Sequence, residues 1–166
     1  MTRIRELSPD DAPELTALYE EYEWWADREV EDVREALAGT EVAVGVESEA
    51  ETAPKASGDE PRAEDGDLVA AARVLTDYRY YATVYDVVVA ADRRGEGLGG
   101  TVMAAVTDHP DLQDLPGLSL LCRDGLVEFY ESVGFERFGP EFEVPEGGTE
   151  ELVRMTYEHG ASPRDQ

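Results

Sequence analysis

Cysteine, histidine and lysine are all scarce in this chain of 166 residues, and each scarcity excludes a class of site. With one cysteine, Cys122, there is no internal disulfide and no cysteine-built metal centre. Two histidines, His109 and His159, offer little to a histidine-ligated metal, so we expect no metal cofactor. No apolar run reaches the roughly 18 residues of a membrane helix. Because the sequence also opens on charged residues rather than a signal-type apolar stretch, we expect a cytoplasmic protein without a membrane partner.

Positive charge is the other shortage. The chain has 14 Lys and Arg residues against 39 Asp and Glu residues, with Lys55 as its one lysine, and the formal net charge is −25. Such a field repels the phosphates of nucleic acids and anionic membranes, so we expect neither as a partner. Disordered chains share this composition, but a hydrophobic content of 42% favours a folded domain. Acid-coated folded proteins are typical of halophiles, and the sequence predicts a halophilic source.

Hydrophobic periodicity predicts a chain filled with alternating strand and helix segments. The predicted strands are 3–7, 41–46, 68–75, 80–90, 118–122, 135–142 and 151–157, and the predicted helices begin at 8 and span 28–37, 98–108 and 125–133. Residues 47–66 contain no Val, Ile, Leu or aromatic residue and are predicted to form an acidic, mobile loop. The chain is therefore predicted to be a single domain over 1–161, with a frayed tail at 162–166.

The segment Arg93–Gly100, RRGEGLGG, lies between a predicted strand and a predicted helix. A glycine-rich turn at a helix start aims backbone N–H groups and the helix dipole at one point, which suits a phosphate. A phosphate-loop NTPase is excluded because it needs Gly-Lys-Ser/Thr. Gly95, Gly97 and Gly100 satisfy the dinucleotide pattern GxGxxG, but an apolar strand stands where that pattern places an acid. A purely structural turn and an acyl-CoA site remain as alternatives.

Two motifs carry a resemblance to a known family. Val87-Val88-Val89 running into RGEGLG, Arg94–Gly99, resembles motif A of the GCN5-related N-acetyltransferases, the GNAT superfamily. Further along, FYESVGF, Phe129–Phe135, resembles the FYxxxGF motif of the same superfamily. The resemblance implies the GNAT fold of the α/β (α+β) class, in which a mixed central sheet of six to seven strands is flanked by about four helices.

The resemblance also implies a binding mode for acetyl-CoA as co-substrate. The N–H groups of the glycine turn would cradle the CoA pyrophosphate, and the backbone of the preceding strand would bond the pantetheine arm and the acetyl carbonyl. The implied cofactor-binding residues are Val88, Val89, Arg94, Gly95, Glu96, Gly97, Leu98, Gly99 and Gly100. The chain departs from the family at Arg123, where a pantetheine-contacting Asn is common.

Acetyl transfer to an amine requires the loss of an amine proton, donors for the oxyanion and a proton for the leaving thiolate. Tyr130, early on its predicted helix, is the candidate acid, since a phenol of pKa about 10 can donate to a thiolate. Its alternative role is packing. Asp86, a carboxylate inside a valine-rich strand, is either the candidate base or a satisfied structural acid. Trp24 and Trp25 either pack in the core or line the acceptor pocket.

The sequence therefore predicts an acetyl-CoA-dependent N-acetyltransferase. It would transfer the acetyl group to a small-molecule or peptide amine by direct attack in a ternary complex. The alternative is a non-catalytic acyl-CoA-binding or sensing module that keeps the glycine turn and dispenses with Tyr130 and Asp86. The acceptor and the oligomeric state, a homodimer included, stay open.

Overall fold

The computed structural model of the chain describes residues 1–49 and 66–160. Most of the predicted acidic loop, 47–66, lies outside those residues, as does the predicted tail, 162–166. Within the part that the structure describes, no helix is both long enough and apolar enough to cross a membrane.

The first of two compact units, Met1–Leu126, is built on a four-stranded antiparallel sheet. Small and β-branched residues dominate its two central strands and suit a pleated surface. Successive residues of these strands are buried, so both faces of the sheet are covered. In chain order, which is also their order in the sheet, the strands are β1 (Thr2–Glu6), β2 (Val42–Ser48), β3 (Leu68–Thr76) and β4 (Ala82–Val89).

Three helices of the first unit bury the apolar residues that helical spacing predicts. They are α1 (Ala12–Glu20), α2 (Val30–Ala38) and α3 (Leu98–Thr107), with Leu15, Tyr19, Val33, Leu37, Val102, Met103 and Val106 in the core. The helix predicted to begin at 8 starts with a short 3-10 turn, Pro9–Asp11, where the Ser8 N–H donates to Asp11 Oδ2 at 2.7 Å, and α1 follows. The helix predicted over 28–37 is observed as α2, and it ends at Gly39, whose N–H donates to the Glu35 carbonyl at 3.0 Å.

Strand β2 runs two residues beyond the predicted end at Val46, because its acidic residue Glu47 is paired. The Glu47 side chain is 2% exposed and accepts from Arg3 Nη2 at 2.6 Å and from Arg5 Nε. Both arginines lie on the neighbouring strand β1. Acidic residues such as Glu47 are more typical of loops than of strands. Here the two guanidinium groups neutralise the carboxylate, so that it is tolerated within the sheet.

The structure corrects the predicted central sheet of six to seven strands. The described residues form one four-stranded sheet and a separate two-stranded sheet. The predicted strand 118–122 contributes a single parallel bridge, Thr83 with Ser119. Its hydrogen bonds run from the Val84 N–H to the Ser119 carbonyl, 2.9 Å, and from the Ser119 N–H to the Ala82 carbonyl, 3.0 Å.

A bulge in β4 explains why that pairing ends. Arg73 of β3 lies opposite Tyr85, but Ala71 lies opposite Val88, so two β4 residues face one residue of β3. Asp86, at the bulge, has φ +54°, in the left-handed region that aspartate tolerates better than most residues. A bulge bends its strand, and within the described residues no bridge joins β4 to 118–122 beyond Thr83.

The second unit, Val127–Gln166, contains α4 (Val127–Ser132) and the hairpin β5 (Glu141–Glu143) and β6 (Thr149–Glu151). With α4, the prediction of about four helices is confirmed over the described residues. The strands predicted at 135–142 and 151–157 are largely wrong, because β5 overlaps the first only at its last two residues and β6 overlaps the second only at Glu151. Pro140 and Pro145, which lack an N–H, bracket β5, and Glu141 lies opposite Glu151, so like charges oppose further pairing.

Candidate functional site

The glycine turn joins the end of β4 to α3 as the sequence predicts. Gly95 and Gly97 have φ +85° and +80°, a left-handed conformation that glycine adopts without strain. The Thr101 N–H donates to the Gly97 carbonyl at 3.0 Å, so the N–H groups at the first positions of α3 have no helical partner. A Cβ atom at Gly95, Gly97 or Gly100 would meet no heavy atom within 4 Å. The turn therefore presents backbone donors to open space.

The two arginines of the turn differ in their partners. Arg93 Nε donates to Glu96 Oε2 at 2.6 Å, so this pair neutralises itself. The Arg94 guanidinium instead lies 5.1 Å from the ring centroid of Tyr22. Among residues 1–49 and 66–160, no carboxylate forms an ion pair with Arg94. Of the predicted site residues, Arg94 is thus the cation that an incoming anion would meet.

The two valines predicted to contact the cofactor face different edges of β4. Val88 is opposite Ala71 and Val89 is opposite Ala70 on β3, and adjacent antiparallel pairs alternate in their hydrogen bonding. The next residue, Ala90, donates its N–H to the Val69 carbonyl at 2.8 Å. Val88 accordingly directs its backbone groups toward β3. The N–H and C=O of Val89 point away from β3, where the Tyr22 hydroxyl bonds both.

Asp86 is the centre of a charged cluster that also contains Arg28 and Arg73. Its carboxylate accepts from Arg28 Nη1 at 3.0 Å and from Arg28 Nη2 at 3.3 Å. It also accepts from Arg73 Nε at 2.9 Å and from Arg73 Nη2 at 2.7 Å, while the Tyr19 hydroxyl lies 3.4 Å away. The Asp86 side chain is 8% exposed, so the carboxylate is buried and doubly paired.

These contacts set the acidities of the cluster. Burial opposes ionisation of Asp86, but the hydrogen bonds and charges of Arg28 and Arg73 outweigh it and hold the pKa of the carboxyl below its usual value. Burial, reinforced by the negative charge of Asp86, raises the pKa of Tyr19 to about 12. At neutral pH Asp86 is therefore ionised and weakly basic, and Tyr19 is a neutral phenol.

A cavity of about 230 Å³ lies beside this cluster. Its lining combines two guanidinium groups, a carboxylate, an aromatic ring and small apolar residues from α1, α2, β3 and the segment just before α2: Tyr19, Arg28, Asp32, Val33, Ala36 and Arg73. Arg28 and Arg73 are not among the site residues that the sequence predicts. The available signal was Arg73, a lone cation in the apolar strand LVAAARVLT that requires an acid nearby.

The two tryptophans have different surroundings. Trp25 packs edge-on against Tyr19, with ring centroids 5.5 Å apart, and its ring lies 4.9 Å from the Arg28 guanidinium. Trp24 is 53% exposed and lies under the Arg123 guanidinium at 4.9 Å. Trp25 thus belongs to the Asp86 cluster, whereas Trp24 is not a core residue. Arg123, which stands where the family often has Asn, is held on Trp24.

Tyr130 lies on α4 in the second unit. Its ring packs edge-on against Phe129 and Phe135, with centroids 4.9 and 6.0 Å away. The Phe135 N–H donates to the Tyr130 carbonyl at 3.0 Å, and Gly134 has φ +98°, so the helix predicted over 125–133 ends before Gly134. Asp86 belongs to the first unit, and its pairing with Tyr130 in catalysis stays a prediction.

Over the described residues, no group of three or more His, Cys, Asp or Glu side chains is arranged to hold a metal ion.

Comparison with solved structures shows the fold. An acetyltransferase of the GNAT family from Xanthomonas campestris pv. campestris is 25% identical, with a TM-score of 0.58 over 81% of this chain and 85% of that one. Glucosamine-6-phosphate N-acetyltransferase from Arabidopsis thaliana is 18% identical, with a TM-score of 0.64 over 96% of this chain and 99% of that one. The chain therefore has a GNAT-like α/β fold.

Curated proteins match part of the chain. GCN5-related N-acetyltransferase 2, chloroplastic, from Arabidopsis thaliana is 31% identical over 90 residues, 49% of this chain and 35% of that protein. Histone acetyltransferase TAP1 from Glycine max is 32% identical over 69 residues, 42% of this chain and 30% of that protein. The matched segments thus span about a third of those relatives. Residues 61–156 match the family model described as the acetyltransferase (GNAT) domain. Because the match covers more than half of this chain, the chain belongs to the GNAT acetyltransferase family.

Proposed function

We propose that the protein is an acetyl-CoA-dependent N-acetyltransferase that transfers the acetyl group directly to an amine in a ternary complex. The observation that carries the proposal is the turn between β4 and α3. It combines left-handed glycines, unpartnered helix N–H groups and open space in a chain of this family.

The turn supplies what a CoA pyrophosphate requires. Backbone N–H donors of Gly95–Gly100 would bind the phosphate oxygens, and the positive end of α3 would favour the charge. Arg94 would add a guanidinium, whereas Arg93 is occupied by Glu96. A local anion site of this kind is notable in a chain of net charge −25, because the global field opposes anion binding.

The pantetheine arm would then follow the free edge of β4. An extended arm that carries amide groups can add to a strand edge as another strand does. On this edge, Val89 presents one N–H and one C=O away from β3, and residues 118–122 pair only with residues before the bulge. We therefore assign the contact to Val89 rather than to Val88.

The proposed chemistry is attack of a neutral amine on the thioester carbonyl. A C–N bond forms, the tetrahedral intermediate collapses, and the C–S bond breaks to release CoA thiolate. Tyr130 would donate its phenolic proton to that thiolate and would regain a proton from solvent water. The proton lost by the amine would pass to solvent water, because the lowered pKa of Asp86 makes it a poor base. Asp86 would instead fix the positions of Arg28 and Arg73.

The acceptor would enter the cavity beside Asp86. Its volume of about 230 Å³ is below the 300–1,000 Å³ of pockets that enclose drug-sized ligands. A small amine or a single residue of a peptide would fill it. Lining charges of both signs, from Arg28, Arg73 and Asp32, would suit an acceptor that carries polar groups besides its amine.

The non-catalytic acyl-CoA-binding module is the second candidate, and the double pairing of Asp86 favours it because this carboxylate is not free to act as a base. Release of CoA thiol from acetyl-CoA, measured with a panel of small amines and N-terminal peptides, separates the two functions. Amine-dependent release that is lost in Tyr130→Phe supports the transferase. Calorimetric binding of CoA without release for any amine supports the module.

A further inference from the structure

A single hydroxyl group bonds both backbone polar groups of Val89. Tyr22 Oη donates to the Val89 carbonyl at 3.0 Å and accepts from the Val89 N–H at 3.1 Å. A side chain that satisfies the donor and the acceptor of one residue replaces, at that residue, the contacts of a neighbouring strand. Tyr22 follows α1, 67 positions earlier in the chain, so this contact is tertiary.

The position of Val89 makes the contact informative. Val89 is on the edge of β4 that faces away from β3, and the pairing of this edge with Ser119 stops at Val84. Beyond the bulge the edge has two backbone groups that need partners, and an unpaired edge is where an extended ligand adds. Tyr22 occupies the hydrogen-bonding positions that such a ligand would use.

Neighbouring contacts strengthen the arrangement. Glu21 Oε2 accepts from the Ala91 N–H at 2.7 Å, so two consecutive residues after α1 hold three backbone groups at the end of β4. The guanidinium of Arg94, the free cation of the glycine turn, lies 5.1 Å from the Tyr22 ring. Tyr22 thus contacts both places assigned to the acyl-CoA, the strand edge and the turn.

We infer that Tyr22 is an internal competitor of the acyl-CoA and sets the affinity of the protein for its donor. The inference rests on the proposed function. When the pantetheine arm binds, its amide replaces the Tyr22 hydroxyl on Val89, and Arg94 leaves the Tyr22 ring for the pyrophosphate. The free energy of breaking the internal contacts is subtracted from that of binding.

The variant Tyr22→Phe tests the inference because it keeps the ring under Arg94 and removes only the hydroxyl. Without its hydroxyl partner, Val89 is available to the ligand, and the Kd for CoA should fall roughly tenfold, the scale of one or two net hydrogen bonds. The matched control is Tyr80→Phe, which removes an exposed hydroxyl from the β3–β4 hairpin and should leave the Kd unchanged.

Two measurements make the outcome unambiguous. Amide hydrogen exchange of Val89 in the free protein should accelerate in Tyr22→Phe and stay at the wild-type rate in Tyr80→Phe; an unchanged rate in Tyr22→Phe overturns the inference. Calorimetric titration with CoA follows. Equal or weaker binding by Tyr22→Phe, with wild-type binding intact, overturns the inference and leaves the proposed function standing. Absence of CoA binding in the wild type and in Tyr22→Phe overturns the proposed function and the inference with it.

Discussion

At Asp86 one buried carboxylate holds two guanidinium groups, and this arrangement decides what the residue can do. The Arg28 guanidinium also lies 4.6 Å from the centroid of the Tyr19 ring, and Arg73 Nη1 donates to Thr40 Oγ1 at 2.7 Å. Each cation of the cluster therefore has a second contact besides Asp86. An isolated buried charge is strongly unfavourable, so the three groups depend on one another. The pairing explains how a carboxylate is tolerated inside a valine-rich strand.

The first prediction is that Asp86→Asn destabilises the fold by about 3–5 kcal/mol, because it leaves Arg28 and Arg73 together without a counter-charge. The measurement is urea unfolding at pH 7. Asp32→Asn is the control, since Asp32 is an exposed acid of the same cavity and should change stability by no more than about 0.5 kcal/mol. Equal stabilities for the two variants would contradict the central role of Asp86.

The second prediction concerns pH. The pKa of Asp86 is lower in the folded state than in the unfolded chain, so its contribution to stability is complete above the unfolded pKa of about 3.9 and is lost as pH falls through the lower, folded value. The difference in unfolding free energy between wild type and Asp86→Asn should therefore be constant from about pH 5 to about pH 7. It should shrink below about pH 4. Urea midpoints across this range measure it, and a difference that grows on acidification would refute the assignment.

The third prediction tests Tyr130 as the acid. Tyr130→Phe keeps the ring packing on Phe129 and Phe135 and removes the proton donor, so kcat should fall roughly 100-fold while the Kd for acetyl-CoA stays within a few-fold. Tyr157→Phe, which alters an exposed tyrosine of the same unit, is the control. Full activity of Tyr130→Phe across the pH range would show that this tyrosine only packs.

At the scale of elements, the turn between β4 and α3 is the part that a ligand would use. Its two left-handed glycines and its unpartnered N–H groups follow from eight consecutive residues, Arg93–Gly100, and this is why the sequence predicts it well. Local chemistry dictates such a turn, since glycine alone adopts these angles freely and a helix start always leaves N–H groups unpaired.

The fourth prediction is that Gly97→Val removes CoA binding. A β-branched side chain resists φ +80° and projects into the open space in front of the N–H groups. Arg94→Ala should weaken binding less, by about 1.5–3 kcal/mol, because it removes one charged contact and leaves the backbone cradle. The control is Gly160→Val, which bears the same strain at φ +83° in the second unit. Calorimetry with unchanged affinity for Gly97→Val would refute the site.

Elements that depend on distant partners are harder to predict from the sequence. Strand 118–122 has the composition of a buried strand, but its pairing is limited by the bulge at Asp86, which no property of 118–122 reveals. Likewise, the pairing of Asp86 with Arg28, just before α2, and with Arg73 on β3, and the contact of Tyr22 with Val89, join residues far apart in sequence. The sequence therefore predicts the helices, the first four strands and the glycine turn, and it misses the sheet edge and the charged cluster.

At the scale of the whole molecule, the net charge of −25 acts against compactness, because folding brings these charges closer together. The buried pairs around Glu47 and Asp86 are local exceptions in which acids are neutralised. Salt distinguishes the two kinds of interaction. It screens exposed charges separated by more than a Debye length and affects buried pairs much less.

The last prediction is that added potassium chloride stabilises the protein. Raising the salt from 0.1 M to 1 M shortens the Debye length from about 10 Å to about 3 Å and screens the surface repulsion. The Tm in a thermal scan should therefore rise with salt at pH 7. Titrating the surface carboxylates provides the control, since near pH 4 the net negative charge is much smaller and the same salt step should raise the Tm less. A Tm that falls with salt at pH 7 would mean that attractive surface pairs outweigh the repulsion, and the expectation of a halophilic, acid-coated surface would then be wrong.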